Sequence, residues 1–433
     1  MACLLWAGCA GCAADRVAPV PVVPVPIAPA PVVPAPEPVP VAPAPPSEDA
    51  ATAQVSEEPA EESFVLPARG VWVARWDLRS ADELVRILEA AAAEGFNQIY
   101  LQVRGEADAY YRSTLEPWAQ PLTGVLGKDP GWDPLELALQ HARRLNLELH
   151  AWVNVASAWK GAIPPDRSQP RHILLSHPEW RVVDARGRTS SDSQSGYVFA
   201  NPGHPGFQEH LLRVLRELLE RYPVDGLHLD YCRFPAPDTS FDRESNRRYA
   251  AAKRADPALE RAAWQRQELT GFVARIREMA REVRPGLAVS AAVTGIYRDR
   301  FGWGNVAQGL TDFFQDSFAW AERGAVDALI PMIYWPPTEP PGGWADFATL
   351  VEEFAPLAGK VRLLAGINVA SGPPAVLRRE IELARQAGYA GVVLFSWRGL
   401  VERNLLGRIR ELFLNAAPAV SAAEPRQPVP DQR

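Results

Sequence analysis

A single carboxylate stands out in the sequence because it ends an apolar run. Residues 224–230 read Val-Asp-Gly-Leu-His-Leu-Asp, and Asp230 is followed by Tyr231. A carboxylate at the end of a buried strand faces a low-dielectric site, which allows its pKa to be tuned for proton transfer or nucleophilic attack. The alternative is a salt bridge to Arg233 or Arg104 that only closes the structure. We predict that Asp230 is catalytic.

Cleavage of a glycosidic bond commonly uses a second carboxyl group opposite the first. Asp108 and Glu116 lie close together in the chain, with Glu106 beside them. Their spacing does not choose among them, and each could instead be a solvated loop residue or a cap. Asp316 is a weaker candidate. We predict that Asp108 or Glu116 is the partner of Asp230.

Amide, guanidinium and aromatic side chains recur where the predicted strands end. Amides and guanidinium groups can bind sugar hydroxyls, and indole faces can stack on the apolar faces of pyranose rings. Core packing is the alternative for the tryptophans, of which the chain has 14. Besides Trp76, the predicted substrate-binding residues are Gln102, Arg104, Trp152, Asn154, Tyr231, Arg233, Tyr334, Trp335 and Trp397.

Several other chemistries lack their sequence patterns. The chain has no nucleophile elbow, phosphate-binding loop or HExxH motif, and we predict no cofactor and no metal. His228 and Asp230 could contribute to a metal site, so a metal-dependent deacetylase-like hydrolase remains a minor alternative. The formal net charge of −7 argues against a nucleic-acid partner, which would require a dense basic surface.

The elements that must position these residues alternate between strand and helix. Eight of each are predicted between residues 66 and 416, including helices over 311–322 and 401–414. The strands are mostly continuous apolar runs, as in a parallel sheet buried on both faces. Eight such units predict an α/β fold of the (β/α)8 TIM-barrel class with long insertions in its loops. A doubly wound open sheet is the alternative, but it usually has a glycine-rich first turn.

The ends of the chain differ in composition from this region. Residues 1–16 are similar to a bacterial lipoprotein signal, with Cys9 or Cys12 as the lipidation site. Residues 17–65 predict a disordered linker, since 13 of the 30 residues in 17–46 are proline and favour extended polyproline II. The barrel domain is predicted over 66–416, and a disordered tail over 417–433.

Several motifs in order resemble the bacterial glycosyl-hydrolase-like family ten, over about residues 68 to 400. They are Gly70-Val71-Trp72, Gln102 to Tyr110, Glu116-Pro117-Trp118, Leu149 to Asn154, Asp225 to Tyr231 and Pro331 to Trp335. The resemblance implies a (β/α)8 barrel, often on envelope lipoproteins, with peptidoglycan glycan strands as a suspected substrate. It implies site roles for Arg104, Asp108, Glu116, Asn154, Asp230 and Tyr334. A looser likeness to chitinase-type barrels breaks at Cys232, which stands in place of their glutamate.

Together these features predict a glycoside hydrolase that acts on an envelope polysaccharide, which the resemblance implies is peptidoglycan glycan. Asp230 would be the base or nucleophile, and Asp108 or Glu116 the acid. The predicted location is the cell envelope, with a secreted barrel lipid-anchored to a membrane and facing the periplasm. The alternative is a non-catalytic barrel that binds glycan at the membrane.

Overall fold

The computed structural model describes residues 66–161, 165, 167–189, 196–339, 341 and 344–414. The predicted lipidation sites Cys9 and Cys12, the linker over 17–65 and the whole of the predicted tail over 417–433 lie outside the described residues. Within the described ranges, no helix combines the length and apolar character needed to cross a membrane.

Eight parallel strands close into a barrel, and two further strands form a separate antiparallel pair. In chain order the strands are β1 (Ala68–Val73), β2 (Gln98–Arg104), β3 (Glu148–Asn154), β4 (Ser157–Lys160), β5 (Tyr197–Phe199), β6 (Gly226–Asp230), β7 (Ala288–Thr294), β8 (Ala328–Ile333), β9 (Arg362–Asn368) and β10 (Gly391–Phe395). The barrel order is β1-β10-β9-β8-β7-β6-β3-β2, with β4 and β5 paired separately. The predicted (β/α)8 barrel is confirmed, and the open-sheet alternative is wrong.

Helices follow the strands and cover the outside of the barrel. They are α1 (Ala81–Ala93), α2 (Pro134–Arg144), α3 (Ile173–Ser176), α4 (Pro205–Arg221), α5 (Arg243–Ala255), α6 (Arg261–Val283), α7 (Gly309–Asp312), α8 (Ser317–Glu322), α9 (Phe347–Phe354), α10 (Pro374–Gln386), α11 (Trp397–Glu402) and α12 (Ile409–Leu414). Their apolar faces pack on the strands and form the larger of the two main core clusters.

Two of the helices predicted as continuous are interrupted. The predicted helix over 311–322 is divided into α7 and α8, because Phe314 has a φ of 53° and Asp316 caps α8 by accepting a hydrogen bond from the Ala319 N–H. The predicted helix over 401–414 is divided into α11 and α12, with Asn404 and Gly407 at positive φ between them. The first break lies in a loop at the barrel mouth, and the second lies on the outer wall of the barrel.

Large aromatic side chains fill the barrel interior. Trp72, Tyr100 and Trp152 form a second core cluster inside the strands. Two strand glycines make room for them, since a Cβ on Gly70 would lie 2.8 Å from the Tyr100 ring and one on Gly366 would lie 3.0 Å from the Trp72 ring. These side chains plug the barrel, and Trp72 and Trp152 reach its upper end.

Candidate active site

A cavity of about 490 Å³ opens at the carboxyl ends of the strands, where barrels of this class hold their active sites. Nine of the thirteen predicted catalytic and substrate-binding residues line it: Trp76, Gln102, Trp152, Asn154, Asp230, Tyr231, Arg233, Tyr334 and Trp335. The other four, Arg104, Asp108, Glu116 and Trp397, are not among its lining residues.

Asp230 lies at the end of β6 and lines the cavity with a side chain that is otherwise buried. One carboxylate oxygen accepts a hydrogen bond from the Tyr231 N–H at 2.6 Å, and the other accepts one from Trp152 Nε1 at 3.1 Å. Burial raises the pKa of this carboxyl group to about 6, against the lowering effects of the Tyr231 N–H, the Arg233 charge and Trp152. Asp230 therefore exchanges a proton near neutral pH, as a general acid or base must.

Few charged side chains line the cavity. Among its lining residues in the described part of the chain, Asp230 is the only carboxylate and Arg233 the only cationic side chain. The Arg233 guanidinium lies 4.2 Å from the centre of the Phe313 ring and 5.0 Å from that of Tyr231. Aromatic faces thus hold the one positive charge near Asp230.

Glu116 forms a buried ion pair with Arg104, away from the cavity. Arg104 Nη2 and Nε donate to the two Glu116 oxygens at 2.6 and 2.8 Å, and both side chains are fully buried. Burial alone would raise the Glu116 pKa, but the Arg104 charge, the hydrogen bonds from Arg104 and the nearby His210 lower it to about 2. A carboxylate that remains ionised at neutral pH has no proton to donate, so this geometry indicates a structural role for Glu116.

Asp108 stabilises the turn that follows β2. Its Oδ1 accepts from the N–H groups of Glu106 at 2.8 Å and Gly105 at 3.3 Å, and Ala107, between Glu106 and Asp108, has a φ of 56°. The side chain is 3% exposed. The structure therefore places Asp108 under the loop rather than beside Asp230.

Glu106 is the carboxylate of this loop that is connected to the cavity. It pairs with Arg75, which also donates to the Tyr197 hydroxyl at 2.9 Å, and Tyr197 lines the cavity. Its other oxygen accepts from the Lys160 N–H at 3.0 Å. Burial raises the pKa of Glu106, and the Arg75 charge opposes that change.

Gln102 and Asn154 bind each other at the ends of β2 and β3. Gln102 Nε2 donates to Asn154 Oδ1 at 3.1 Å, and Asn154 Nδ2 donates to the Gly105 carbonyl at 3.2 Å. Gln102 Oε1 accepts from the Arg75 N–H at 3.1 Å. This chain of hydrogen bonds fixes the loop after β2 against the cavity wall.

The cavity floor is held by a neutral histidine. Trp72 Nε1 donates to His228 Nε2 at 3.0 Å, so His228 Nδ1 carries the proton and donates to Ser290 Oγ at 2.9 Å. Burial, with the nearby His150, holds the pKa of His228 well below its usual value. In the described ranges, no group of three or more His, Cys, Asp or Glu side chains is placed to hold a metal ion.

Tyr334 faces the cavity with its ring stacked on Phe395, the ring centres being 5.4 Å apart. Burial, together with the negative charge of Asp230, raises the pKa of its hydroxyl far above the usual value. The hydroxyl therefore keeps its proton and can donate a hydrogen bond to a ligand. Trp397, by contrast, begins α11 and is 6% exposed within the core.

Some lining residues were not predicted from the sequence. Tyr197 comes from β5, Phe313 from the bend after α7, and Trp344 from the segment before α9. Phe313 and Trp344 lie in loops and Tyr197 begins a strand of only three residues, so no strand period in the sequence indicates a direction for these side chains. An available indication was the position of Trp344 among prolines and glycines, which is unusual for a core tryptophan.

Comparison with known proteins identifies a family and relatives that share part of the sequence. The profile of the family described as Glycosyl hydrolase-like 10 matches residues 67–378. The chain is 27% identical over 304 residues to "Glycosyl hydrolase DigH" of Escherichia coli (strain K12), covering 62% of this chain and 66% of that protein. It is 26% identical over 285 residues to "Glycosyl hydrolase YngK" of Bacillus subtilis (strain 168), covering 62% and 54%. The match thus spans less than two thirds of either relative.

Solved structures share the fold at low identity. The PgaB (BpsB) glycoside hydrolase domain from Bordetella bronchiseptica superposes with a TM-score of 0.58 at 16% identity, covering 80% of this chain and 98% of that one. The catalytic domain of β-amylase from Paenibacillus polymyxa gives a TM-score of 0.59 at 13% identity, covering 82% and 100%. These likenesses support the barrel fold.

Proposed function

Because the chain belongs to the Glycosyl hydrolase-like 10 family, we propose that it hydrolyses glycosidic bonds of an envelope polysaccharide, namely peptidoglycan glycan strands. The observation that carries the proposal is Asp230, a carboxyl group with a pKa of about 6 on the wall of an aromatic-lined cavity. Its pKa suits proton transfer, and the surrounding aromatic rings suit pyranose faces.

The composition of the cavity favours a mechanism in which the enzyme supplies one catalytic group and the substrate supplies the other. Two-carboxylate glycosidases place both groups on the reacting bond, whereas Asp230 is the lone carboxylate among the described lining residues. Substrate-assisted enzymes replace the second carboxylate by a group of the sugar itself. The 2-acetamido groups of peptidoglycan sugars can fill that role, so we assign Asp230 to proton transfer rather than to nucleophilic attack.

In the first step, protonated Asp230 donates its proton to the glycosidic oxygen as the bond to the anomeric carbon breaks. The acetamido carbonyl oxygen attacks that carbon and forms a cyclic oxazolinium. In the second step, a water molecule attacks the same carbon and reopens the ring, and the Asp230 carboxylate takes up the proton of that water. The sum is hydrolysis with retention at the anomeric carbon.

Neighbouring side chains would orient these partners. Trp152 Nε1 and the Tyr231 N–H hold the Asp230 carboxylate in place by donating hydrogen bonds to its two oxygens. The Tyr334 hydroxyl, which keeps its proton, would donate to the acetamido carbonyl or to a ring hydroxyl. Fixed donors of this kind cost little reorganisation during the reaction.

The experiment compares wild type with Asp230→Asn on peptide-free glycan strands purified from sacculi. We expect the variant to lose at least about 100-fold in release of reducing ends, the usual effect of removing an acid or base. Asp129→Asn, on an exposed aspartate, is the matched control and should keep full activity. Strands chemically freed of their N-acetyl groups should resist the wild type. Full activity of folded Asp230→Asn would refute the assignment.

A glycan-binding barrel without hydrolysis is the second candidate, and the lone carboxylate is what favours it. The same experiment separates the two functions. Binding alone would be supported if the wild-type protein binds glycan strands but releases no reducing ends and forms no cleavage products over a long incubation.

A further inference from the structure

Two tryptophans at the mouth of the cavity are exposed to an unusual degree. Trp76 is 40% exposed and Trp344 is 57% exposed, and they are among six large apolar side chains exposed in the described ranges. Both also line the cavity. Leaving an indole in water forgoes the free energy of burying it, so its placement at a cavity mouth indicates a flat apolar ligand surface.

The two indoles flank Asp230 from opposite directions around the barrel. Trp76 follows β1, which is reached from β6 through β3 and β2. Trp344 follows β8, which is reached from β6 the other way through β7. A ligand that contacts both indoles therefore spans the mouth of the cavity that Asp230 also lines.

Both indoles are held by neighbouring groups. The Arg75 guanidinium lies 5.0 Å from the centre of the Trp76 ring, and Arg398 Nη2 donates to the Trp76 carbonyl at 2.9 Å. Trp335 meets Trp344 edge to face, with ring centres 6.4 Å apart. A side chain that is already positioned loses less entropy when a ligand binds.

We propose that the cavity binds an internal stretch of a glycan polymer, with Trp76 and Trp344 stacking on sugar rings on opposite sides of the cleaved bond. The enzyme then cuts within chains rather than trimming their ends. This rests on the proposed function and adds the mode of attack and two residues that determine preference for long substrates. An enzyme that trims ends would block one side of its cavity, and a stacking surface there would have no ring to bind.

The test measures KM and kcat of Trp76→Ala and Trp344→Ala on long peptide-free glycan strands and on the shortest oligosaccharide that is cleaved. For long strands we expect KM to rise about 2- to 10-fold in each variant with kcat nearly unchanged, as expected for one lost stacking contact. For the short substrate the change should be small in at least one variant. Trp76→Phe and Trp344→Phe should restore most of the affinity.

Phe301→Ala is the matched control, because Phe301 is 39% exposed and is not a lining residue of the cavity. Early products from wild type should span intermediate lengths. A single short product from the start, or tryptophan variants that match Phe301→Ala on long strands, would overturn the inference.

A separate comparison tests the two stacking sites if the protein does not hydrolyse glycan. If the wild type cleaves nothing, retention of long strands by Asp230→Asn and by Asp230→Asn with Trp76→Ala or Trp344→Ala is compared. Weaker retention in the double variants supports the two stacking sites, and equal retention overturns them.

Discussion

The burial of Asp230 affects stability as well as catalysis. Its pKa is about 6 in the folded protein and about 3.9 in an unfolded chain, so the folded state binds this proton more tightly. The folded protein therefore loses stability as pH rises from about 4 to about 6, and the loss persists above that range. It amounts to roughly 2–3 kcal/mol.

We predict that Asp230→Asn removes this pH dependence. The free energy of unfolding, measured by urea at pH 4.5 and pH 8, should fall less with pH in the variant than in wild type, by about 2 kcal/mol. The amide introduced by Asp230→Asn also changes the hydrogen bond with Trp152. If that effect is the same at both pH values, it cancels when the change in unfolding free energy with pH is compared between the two proteins. An identical pH dependence in the two proteins would mean that Asp230 has an ordinary pKa.

At the residue scale, the sequence was informative where a strand fixes the direction of a side chain. Asp230, Trp152 and Asn154 end strands, and all three line the cavity. Asp108 and Glu116 lie in a loop, where turn hydrogen bonds and an ion pair turn them away from the cavity. The direction of a loop side chain depends on contacts with distant segments, and spacing does not encode it.

At the scale of elements, the Arg104–Glu116 pair ties the loop after β2 to the strand itself. Arg104 also donates to the carbonyls of Asn154 and Val155 at the end of β3. Removing one partner of a buried pair leaves the other charge uncompensated, which typically costs 3–5 kcal/mol. We predict that Glu116→Ala lowers the free energy of unfolding by about this amount, measured by urea denaturation at pH 7.

The same prediction separates a structural role of Glu116 from an acid role. At a temperature where the variant remains folded, kcat should fall far less than in Asp230→Asn. Glu89→Ala, which removes an exposed partner of Arg144, is the control and should cost under about 1 kcal/mol. A stable Glu116→Ala protein with Asp230→Asn-like activity would reassign Glu116 to the reaction.

Elements were predicted well where burial gives a continuous apolar run and poorly where the chain makes insertions. The eight barrel strands follow this pattern. The sequence analysis missed the β4–β5 pair and α5, because short or polar segments have no strong hydrophobic periodicity. The same insertions supply Tyr197 and the loop around it, so the unpredicted elements are also those that shape one side of the cavity.

At the scale of the whole molecule, closure of the barrel joins the two ends of the domain. β1 pairs with β10, with Gly70 opposite Val393, so residues more than 300 positions apart lie side by side. Trp76 and Arg398 then meet beyond these strands, and Arg398 also binds Asp77 at 2.9 Å. The cavity mouth thus depends on the closing contact of the entire barrel.

The net charge bears on the proposed attachment of the protein to a membrane. A chain with a formal net charge of −7 is not attracted to anionic lipid, so we propose that lipid on Cys9 or Cys12 holds it in the envelope. Each buried methylene of an acyl chain contributes about 0.8 kcal/mol, and stable anchoring takes two or more chains. Loss of the modified cysteine should therefore release the protein completely.

We predict that changing both Cys9 and Cys12 to serine moves the protein from the detergent phase to the aqueous phase in detergent partitioning of cells that express it. Activity on soluble glycan strands should be unchanged, because all of the cavity-lining residues come from the barrel domain. Cys232→Ala is the control, since Cys232 is fully buried in the barrel and inaccessible to an acyl transferase. If the double variant still partitions with detergent, the barrel itself holds the membrane and the lipid anchor is wrong.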